Sequence, residues 1–181
     1  MKKVILGFAC VLALSVVKAQ SGTTQIGVAA EIGIPTGDFG DAFKTGFGGS
    51  VKGLFGIGES GQITFTTGYS TFKMNGSTDD FKATIGIIPL LAGYRHNFSG
   101  FYVEPQLGYG IYRGKTEIQG SESSDSKGAF TYAIGLGFAK SGFDGGVRYQ
   151  SGKVSDSDTP FSVIGIHVGY NFTLGGGSAS K

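Results

Sequence analysis

The side chains of this chain that could do chemistry are ionisable residues on one face of an alternating sequence pattern. The face opposite the bulky apolar residues carries seven such groups: Glu31, Lys52, Arg95, Glu104, Asp144, Arg148 and His167. Acids beside a histidine can support general acid–base or nucleophilic catalysis. The same groups can instead form ion pairs that neutralise one another. Three acids, three bases and one histidine fit either chemistry.

Catalysis by this set requires a nucleophile beside a histidine. The strand histidines are His96 and His167, and neither has a convincing Ser–His–acid set around it. Charges enclosed in a narrow interior must be paired, and the three acids balance the three bases. We therefore expect the seven residues to form a polar network. The sequence predicts no catalytic residue, no cofactor, no cofactor-binding residue and no metal ligand, so the protein is not expected to be an enzyme.

Two further kinds of stretch resemble ligand-binding motifs. The segment GYGIYRGKT, residues 108–116, ends like a phosphate-binding loop, but Tyr109 stands where the first glycine is required. It also alternates like a strand, whereas that motif needs a loop leading into a helix. The Ser- and Asp-rich clusters at 121–127 and 155–158 offer oxygen ligands for a divalent cation, but their composition is typical of solvated loops. Neither nucleotide nor cation binding is predicted.

The ionisable residues are positioned by β-strands, because large apolar residues recur at every second position. In FTYAIGLGFAK, residues 130–140, Phe, Tyr, Ile, Leu and Phe alternate with Thr, Ala and Gly. No segment after the first twenty residues shows a convincing 3.6-residue apolar period. The predicted strands are 25–34, 46–57, 61–73, 81–97, 100–114, 128–140, 142–153 and 161–173.

The fourth predicted strand is the least regular. Ile87 and Ile88 are adjacent large residues, and Pro89 cannot donate a hydrogen bond to a strand ladder. The sequence therefore predicts a bulge or a change of register near Pro89.

The connections between the predicted strands alternate in length. Those after the second, fourth and sixth strands are short turns that contain glycine. Those after the first, third, fifth and seventh are longer and polar, and the fifth connection is expected to be a loop over 115–128. This alternation is typical of an up-and-down meander with an even number of strands. We expect the long connections to face outward and the short turns to face the periplasm.

The first residues have the features of a secretory signal peptide. Two lysines are followed by an apolar run over 4–17 and a small-residue cleavage site, which predicts a signal peptide at 1–19. The run is shorter than the roughly 20 residues of a spanning helix. The predicted mature domain, 20–181, lacks cysteine, since the only cysteine is Cys10. Removal of three lysines leaves 12 basic against 13 acidic residues, which gives no electrostatic reason to expect nucleic acid.

An apolar face that continues from strand to strand requires an apolar partner. In a soluble sheet the other face would carry many charges, yet charged residues make up only 15% of this chain. A barrel in lipid points apolar residues outward and small or polar residues inward, and eight strands enclose a space that side chains can fill. The sequence therefore predicts an all-β fold, an eight-stranded antiparallel up-and-down transmembrane β-barrel. Its interfacial girdles are expected to include Tyr69, Tyr94, Phe101, Tyr109, Phe143, Tyr149, Tyr170 and Phe172.

Three motifs carry a family resemblance: GIPTGDF after the first strand, IPLLAGYR in the fourth and FYVEPQLGYG in the fifth. With the leader that ends in KAQ, they resemble the small eight-stranded, porin-like outer-membrane β-barrel proteins of Gram-negative bacteria, in particular Bacteroidetes members. The resemblance implies a monomer in the cell outer membrane whose partners are the membrane lipid and the assembly machinery. Phe172, in YNF, would correspond to the terminal aromatic residue that this machinery recognises.

These observations lead to three functional hypotheses. The first is a non-enzymatic protein with a structural or surface-interaction role, whose lumen is filled by the polar network. The second is a narrow porin-like passage for small solutes. The third, an enzyme that modifies envelope lipid, has the least support because no nucleophile accompanies the histidines.

Overall fold

A computed structural model describes residues 23–77, 81–118, 121–154 and 160–175. The predicted signal peptide, 1–19, lies outside these residues. The strands are β1 Thr24–Thr36, β2 Gly46–Ile57, β3 Gly61–Lys73, β4 Phe81–Phe98, β5 Phe101–Ile118, β6 Ser121–Lys140, β7 Phe143–Lys153 and β8 Phe161–Gly175. A single-turn helix, α1, spans Asp38–Ala42. No helix in the described part of the chain is long and apolar enough to cross a membrane.

Each strand pairs antiparallel with the next, and β8 pairs with β1 to close the barrel. Val28 of β1, for example, lies opposite Val51 of β2 on one side and opposite Tyr170 of β8 on the other. Closure pairs the backbone polar groups of every strand with both neighbours, which is what a sheet in hydrocarbon requires. The predicted fold class and strand order are confirmed.

Side chains alternate between the outer surface and the lumen. On β6, Ile134 is 50% exposed on the outside, whereas its neighbour Ala133 is 4% exposed and faces inward. The aromatic residues predicted for the girdles are all exposed: Tyr69, Tyr94, Phe101, Tyr109, Phe143, Tyr149, Tyr170 and Phe172. Large apolar groups therefore cover the outside of the barrel, where only lipid can solvate them favourably.

Two of the short turns have the backbone that favours a two-residue hairpin. Ser99 and Gly100 both have positive φ, 51° and 108°, and so do Ser141 and Gly142, 52° and 88°. Positive φ at both central positions is the type I′ arrangement, whose twist matches that of the flanking strands. In the first of these hairpins Phe98 pairs directly with Phe101.

The predicted bulge near Pro89 is wrong. Leu90 and Ile87 pair with Thr67 and Ser70 of β3, so the register is the same on both sides of Pro89. The missing N–H of Pro89 interrupts the hydrogen-bond ladder without shifting its register. The adjacent Ile87 and Ile88 also need no bulge, because one of them can face the lumen. Ile87 simply faces inward, because the lumen at this level is apolar.

The predicted loop at 115–128 is also wrong, because β5 and β6 continue through most of it. Lys115 pairs with Ser124, and Ile118 with Ser121. The side chains over 123–127 are exposed, so polar residues occupy both faces and no apolar alternation marks the strand. We call this extension, 113–118 with 121–127, the outer ribbon. Helix α1 escaped prediction because five residues are too few to show a helical period.

A charge on the outer face of the barrel should be costly at mid-strand. We expect Ile134→Arg to destabilise the protein by about 2–4 kcal/mol in lipid, because Ile134 faces outward midway between Phe130 and Phe138 on β6. Unfolding by denaturant in vesicles, followed by far-UV circular dichroism, measures this cost, since the chain has no Trp. Glu59→Arg, in an exposed short turn, is the control and should be near neutral. Equal stability of Ile134→Arg and the parent would contradict the outward assignment.

Candidate functional site

The structure places all seven ionisable residues from the alternation pattern inside the barrel. Five are buried and two, Lys52 and His167, are partly buried. They project from β1, β2, β4, β5, β7 and β8, so they meet across the lumen rather than along one hairpin. The contacts divide them into a five-residue cluster around Arg95 and a separate pair, Glu31 with Arg148.

Arg95 is the centre of the cluster and is only 1% exposed. Its Nε and Nη2 donate to Glu104 Oε2 at 3.0 and 2.8 Å, and its Nη1 donates to Asp144 Oδ2 at 2.7 Å. The guanidinium carbon lies 3.6 Å from the centre of the Tyr102 ring. One cation thus pairs with two carboxylates and an aromatic face, a set of partners suited to the planar guanidinium.

Glu104 has donors on both carboxylate oxygens. Lys52 Nζ lies 2.7 Å from Oε2, and Thr64 Oγ1 donates to Oε1 at 2.8 Å. Gln106 Nε2 adds a bond of 3.0 Å to Oε1. These donors and Arg95 replace the water that a free carboxylate would bind, which offsets the cost of burial.

Asp144 is surrounded in the same way. The Tyr102 hydroxyl donates to Oδ1 at 2.7 Å, and Asn171 Nδ2 donates to Oδ2 at 2.9 Å. His167 Nε2 lies 3.3 Å from Oδ1 and 3.0 Å from the Tyr102 hydroxyl. His167 is therefore part of the network as a polar partner of Asp144.

Glu31 and Arg148 form the second group. Arg148 Nη2 donates to Oε1 and Oε2 of Glu31 at 2.9 and 2.8 Å. A Cβ added at Gly165 would collide with the Glu31 carboxylate. Glycine at this lumen position leaves the space that the ion pair occupies.

The space left in the lumen is small. A cavity of about 20 Å³ lies beside the cluster. Its lining includes Lys52, Glu104, Asp144 and Arg148. A second cavity of about 20 Å³ lies next to Phe72. Glu31 and Arg148 line both cavities, so their ion pair separates them. Each cavity has room for a water molecule and not for a solute.

Aromatic rings fill the end of the lumen that lies beside the long connections. We define this aromatic plug as Phe39, Phe43, Phe72, Tyr112 and Phe161. Phe39 of α1 is 3% exposed, and its ring centre lies 5.5, 5.3 and 4.8 Å from those of Phe72, Phe161 and Phe43. The Phe161 ring stacks on Tyr112 at 4.8 Å. Inward-facing Ile85, Ile87 and Val163 join the same apolar cluster.

Sequence reasoning missed the plug because it expected only small or polar residues inward. A signal was present: Phe72 lies in the opposite phase to Tyr69 on β3, and Tyr112 in the opposite phase to Tyr109 on β5. Contacts with the connection after β3 fix α1 in place. Asn75 N donates to the Ala42 carbonyl and Asn75 Nδ2 to the Asp41 carbonyl, both at 2.8 Å.

The described residues do not assemble a hydrolytic site. His167 contacts Asp144 and Tyr102, neither of which is a serine, and His96 lies with Tyr94 and Phe98 on the outer face. The described residues also include no group of three or more His, Cys, Asp or Glu side chains that could hold a metal ion. The Ser–Asp cluster at 155–158 lies outside them.

Loss of Arg95 should be strongly destabilising. We expect Arg95→Met to cost about 3–5 kcal/mol, because it leaves Glu104 and Asp144 buried without their shared cation. The free energy of unfolding in detergent or vesicles measures the effect. Arg113→Met removes an exposed arginine and is the matched control, expected to be near neutral. Equal effects of the two variants would mean that the cluster adds no stability.

Solved structures support the fold. One is the crystal structure of Ail, the attachment invasion locus protein of Yersinia pestis, in complex with the heparin analogue sucrose octasulfate. Its sequence is 18% identical, the match covers 84% of this chain and 100% of Ail, and the TM-score is 0.66. Neisserial surface protein A is 19% identical over 83% and 97% of the two chains, at 0.53. The N-terminal β-barrel domain of Pseudomonas aeruginosa OprF is 15% identical over 83% and 99%, also at 0.53. At these identities the likeness shows the fold alone.

A comparison with curated proteins found no match. The resemblance to Bacteroidetes members stays a prediction. The family model described as "Outer membrane protein beta-barrel domain" matches residues 6–172, which is nearly the whole chain. The chain therefore belongs to the outer membrane protein beta-barrel domain family.

Proposed function

We propose that this chain is a non-enzymatic, monomeric outer-membrane protein with a structural or surface-interaction role, exported by its signal peptide and closed to solutes. The observation that carries the proposal is the set of bonds from Arg95 to Glu104 and Asp144 across the lumen. A barrel built to conduct would not have its lumen crossed by ion pairs that are costly to break.

Two barriers in series support closure. The charged cluster and the Glu31–Arg148 pair occupy the middle of the lumen, and the aromatic plug occupies its outer end. They differ in chemistry, so no single solute class is suited to both. Charged solutes would have to cross apolar rings, and apolar solutes would have to cross ion pairs.

The outer ribbon supports a surface role. It carries exposed polar and charged side chains, among them Arg113, Glu117 and Asp125. Strands that continue beyond the barrel wall offer a large area to a partner outside the membrane. The barrel would then act as the anchor that presents this area.

A narrow passage is the second candidate. It is favoured by the two cavities that lie on either side of the Glu31–Arg148 pair, because separation of that pair would join them. The aromatic plug would still have to move before water could cross. An enzyme acting on envelope lipid has less support, since the hydroxyl group beside His167 is that of Tyr102, which donates to Asp144.

Recording across a planar lipid bilayer tests closure. The refolded parent and Phe39→Ala should show no large, stable single-channel current, because the ion pairs remain when the plug is weakened. The triple variant Phe39→Ala/Glu31→Ala/Arg148→Ala removes parts of both barriers and should conduct, provided that its mobility on unheated gels shows it folded. Stable currents from the parent would contradict the proposal and favour the passage.

Cysteine labelling tests the orientation of the barrel. Cys10 is the only cysteine in the sequence and lies in the predicted signal peptide, so an introduced cysteine is the only thiol of the mature protein. Ser124→Cys on the outer ribbon should react with a membrane-impermeant maleimide on intact cells, whereas Glu59→Cys in a short turn should react only after lysis. Both side chains are exposed, so the side of the membrane on which each cysteine lies, and not its burial, decides whether the maleimide reaches it. The reverse pattern would overturn the proposed topology.

A further inference from the structure

The turn that follows β3 holds an Asn–Gly pair at the protein surface. Asn75 and Gly76 come directly after Met74, and both are exposed. Gly76 has a φ of 74°, and a Cβ added to it would meet no atom within 4 Å apart from its neighbours in the chain. The Ser77 hydroxyl donates to the Met74 carbonyl at 3.0 Å across the turn. The backbone nitrogen of Gly76 thus adjoins the Asn75 side chain in an open part of the structure.

An asparagine followed by glycine is the arrangement most open to deamidation. The side-chain amide of asparagine is chemically labile, and attack by the next backbone nitrogen closes a five-membered ring. A side chain on the following residue hinders this attack, and glycine has none. The chain contains three asparagines, and both Asn97 and Asn171 are followed by phenylalanine. Asn75 is therefore the asparagine with the labile sequence.

Asn75 also holds α1, which carries the Phe39 ring of the aromatic plug. Its backbone N donates to the Ala42 carbonyl and its Nδ2 to the Asp41 carbonyl, both at 2.8 Å. These carbonyls lie at the C-terminal end of α1, where a helix leaves its carbonyls without partners of its own. A helix of one turn is not stable by itself. The position of Phe39 thus depends on the bonds from Asn75 as well as on the packing of its own ring.

We propose that Asn75 is a site of spontaneous deamidation and that its conversion loosens α1 and the aromatic plug. The Gly76 nitrogen attacks Asn75 Cγ, so a new N–Cγ bond forms and the Cγ–Nδ2 bond breaks. The amide nitrogen leaves as ammonia and takes the proton of the Gly76 N–H. Water then opens the ring at either carbonyl and gives aspartate or isoaspartate. Water is the only other reactant.

The product cannot make the bond that the amide makes. A carboxylate has no hydrogen to donate, so the Asp41 carbonyl loses its partner and faces a negative charge at the negative end of the helix. Asp38 and Asp41 already make α1 acidic. Isoaspartate also adds a carbon to the backbone, which displaces the N–H that donates to Ala42. The effect on closure rests on the proposed function, whereas the deamidation does not.

Peptide mass spectrometry tests the chemistry. The folded parent is kept in mildly alkaline water enriched in heavy oxygen and is digested at intervals. Asn75 should convert to a mixture of aspartate and isoaspartate that carries the heavy oxygen, while Asn97 and Asn171 keep their amides. Persistence of Asn75 for as long as the other two would overturn the site. Aspartate without isoaspartate would overturn the cyclic route.

A thiol among the side chains beneath the plug tests the effect on α1. Ala129→Cys places the only thiol of the predicted mature protein at a position that is 4% exposed and belongs to the apolar cluster around Phe39. Adding Asn75→Asp should speed the reaction of this thiol with a maleimide roughly five- to ten-fold, because a hydrogen bond is replaced by an adverse charge. Asn97→Asp is the matched control, since Asn97 Nδ2 donates to the Ser60 carbonyl at the other end of the barrel. The control should react at the parent rate.

The outcomes separate this inference from the proposed function. Equal labelling rates in the two Asp variants would overturn the release of α1. Aged Ala129→Cys protein gives the same test without a second substitution, because its labelling rate should rise as Asn75 is lost. Mobility on unheated gels shows whether each sample is folded. Large, stable single-channel currents from the fresh parent would contradict closure, whereas a closed parent that keeps Asn75 overturns only this inference.

Discussion

The interaction on which the rest of this structure depends is the pairing of Arg95 with two carboxylates inside the barrel. An unpaired guanidinium in a dry lumen would cost several kcal/mol, so the positions of Glu104 and Asp144 are fixed by the charge they must meet. Lys52 and His167 then complete the coordination of those acids. Small residues elsewhere, such as Gly165 beside Glu31, leave room for the ion pairs.

The barrel separates its two kinds of chemistry by side-chain direction. Outward positions carry apolar and aromatic groups with charges confined to the ends, and inward positions carry paired charges and an aromatic plug. Because direction alternates along every strand, a one-residue slip of any strand would expose charges to lipid and bury large rings in the lumen. The same alternation thus specifies both the register and the closure of the lumen.

Most of the fold could be predicted from the sequence, since alternation and turn residues are local signals. Apart from the outer ribbon, the strand bounds agree to within about two residues, and the alternation with the pairing about the short turns predicts the seven inward ionisable residues. What could not be predicted depends on contacts between distant segments. Phe72 and Tyr112 face inward because α1 supplies Phe39 to pack on them, and the outer ribbon forms through backbone pairing without any apolar pattern. Near Pro89 the strand needs no bulge, because the lumen at this level is apolar and accepts the side chain of Ile87.

The ion pairs of the lumen also have a consequence for assembly. Three of them join strands that are not neighbours: Lys52 and Glu104 are 52 residues apart, Arg95 and Asp144 are 49, and Glu31 and Arg148 are 117. Hairpins can form one at a time, but these contacts exist only once the sheet has curled on itself. An incomplete sheet would bring unpaired charges to the bilayer, so the last step of folding, closure of β1 on β8, is made cooperative by residues far from that seam.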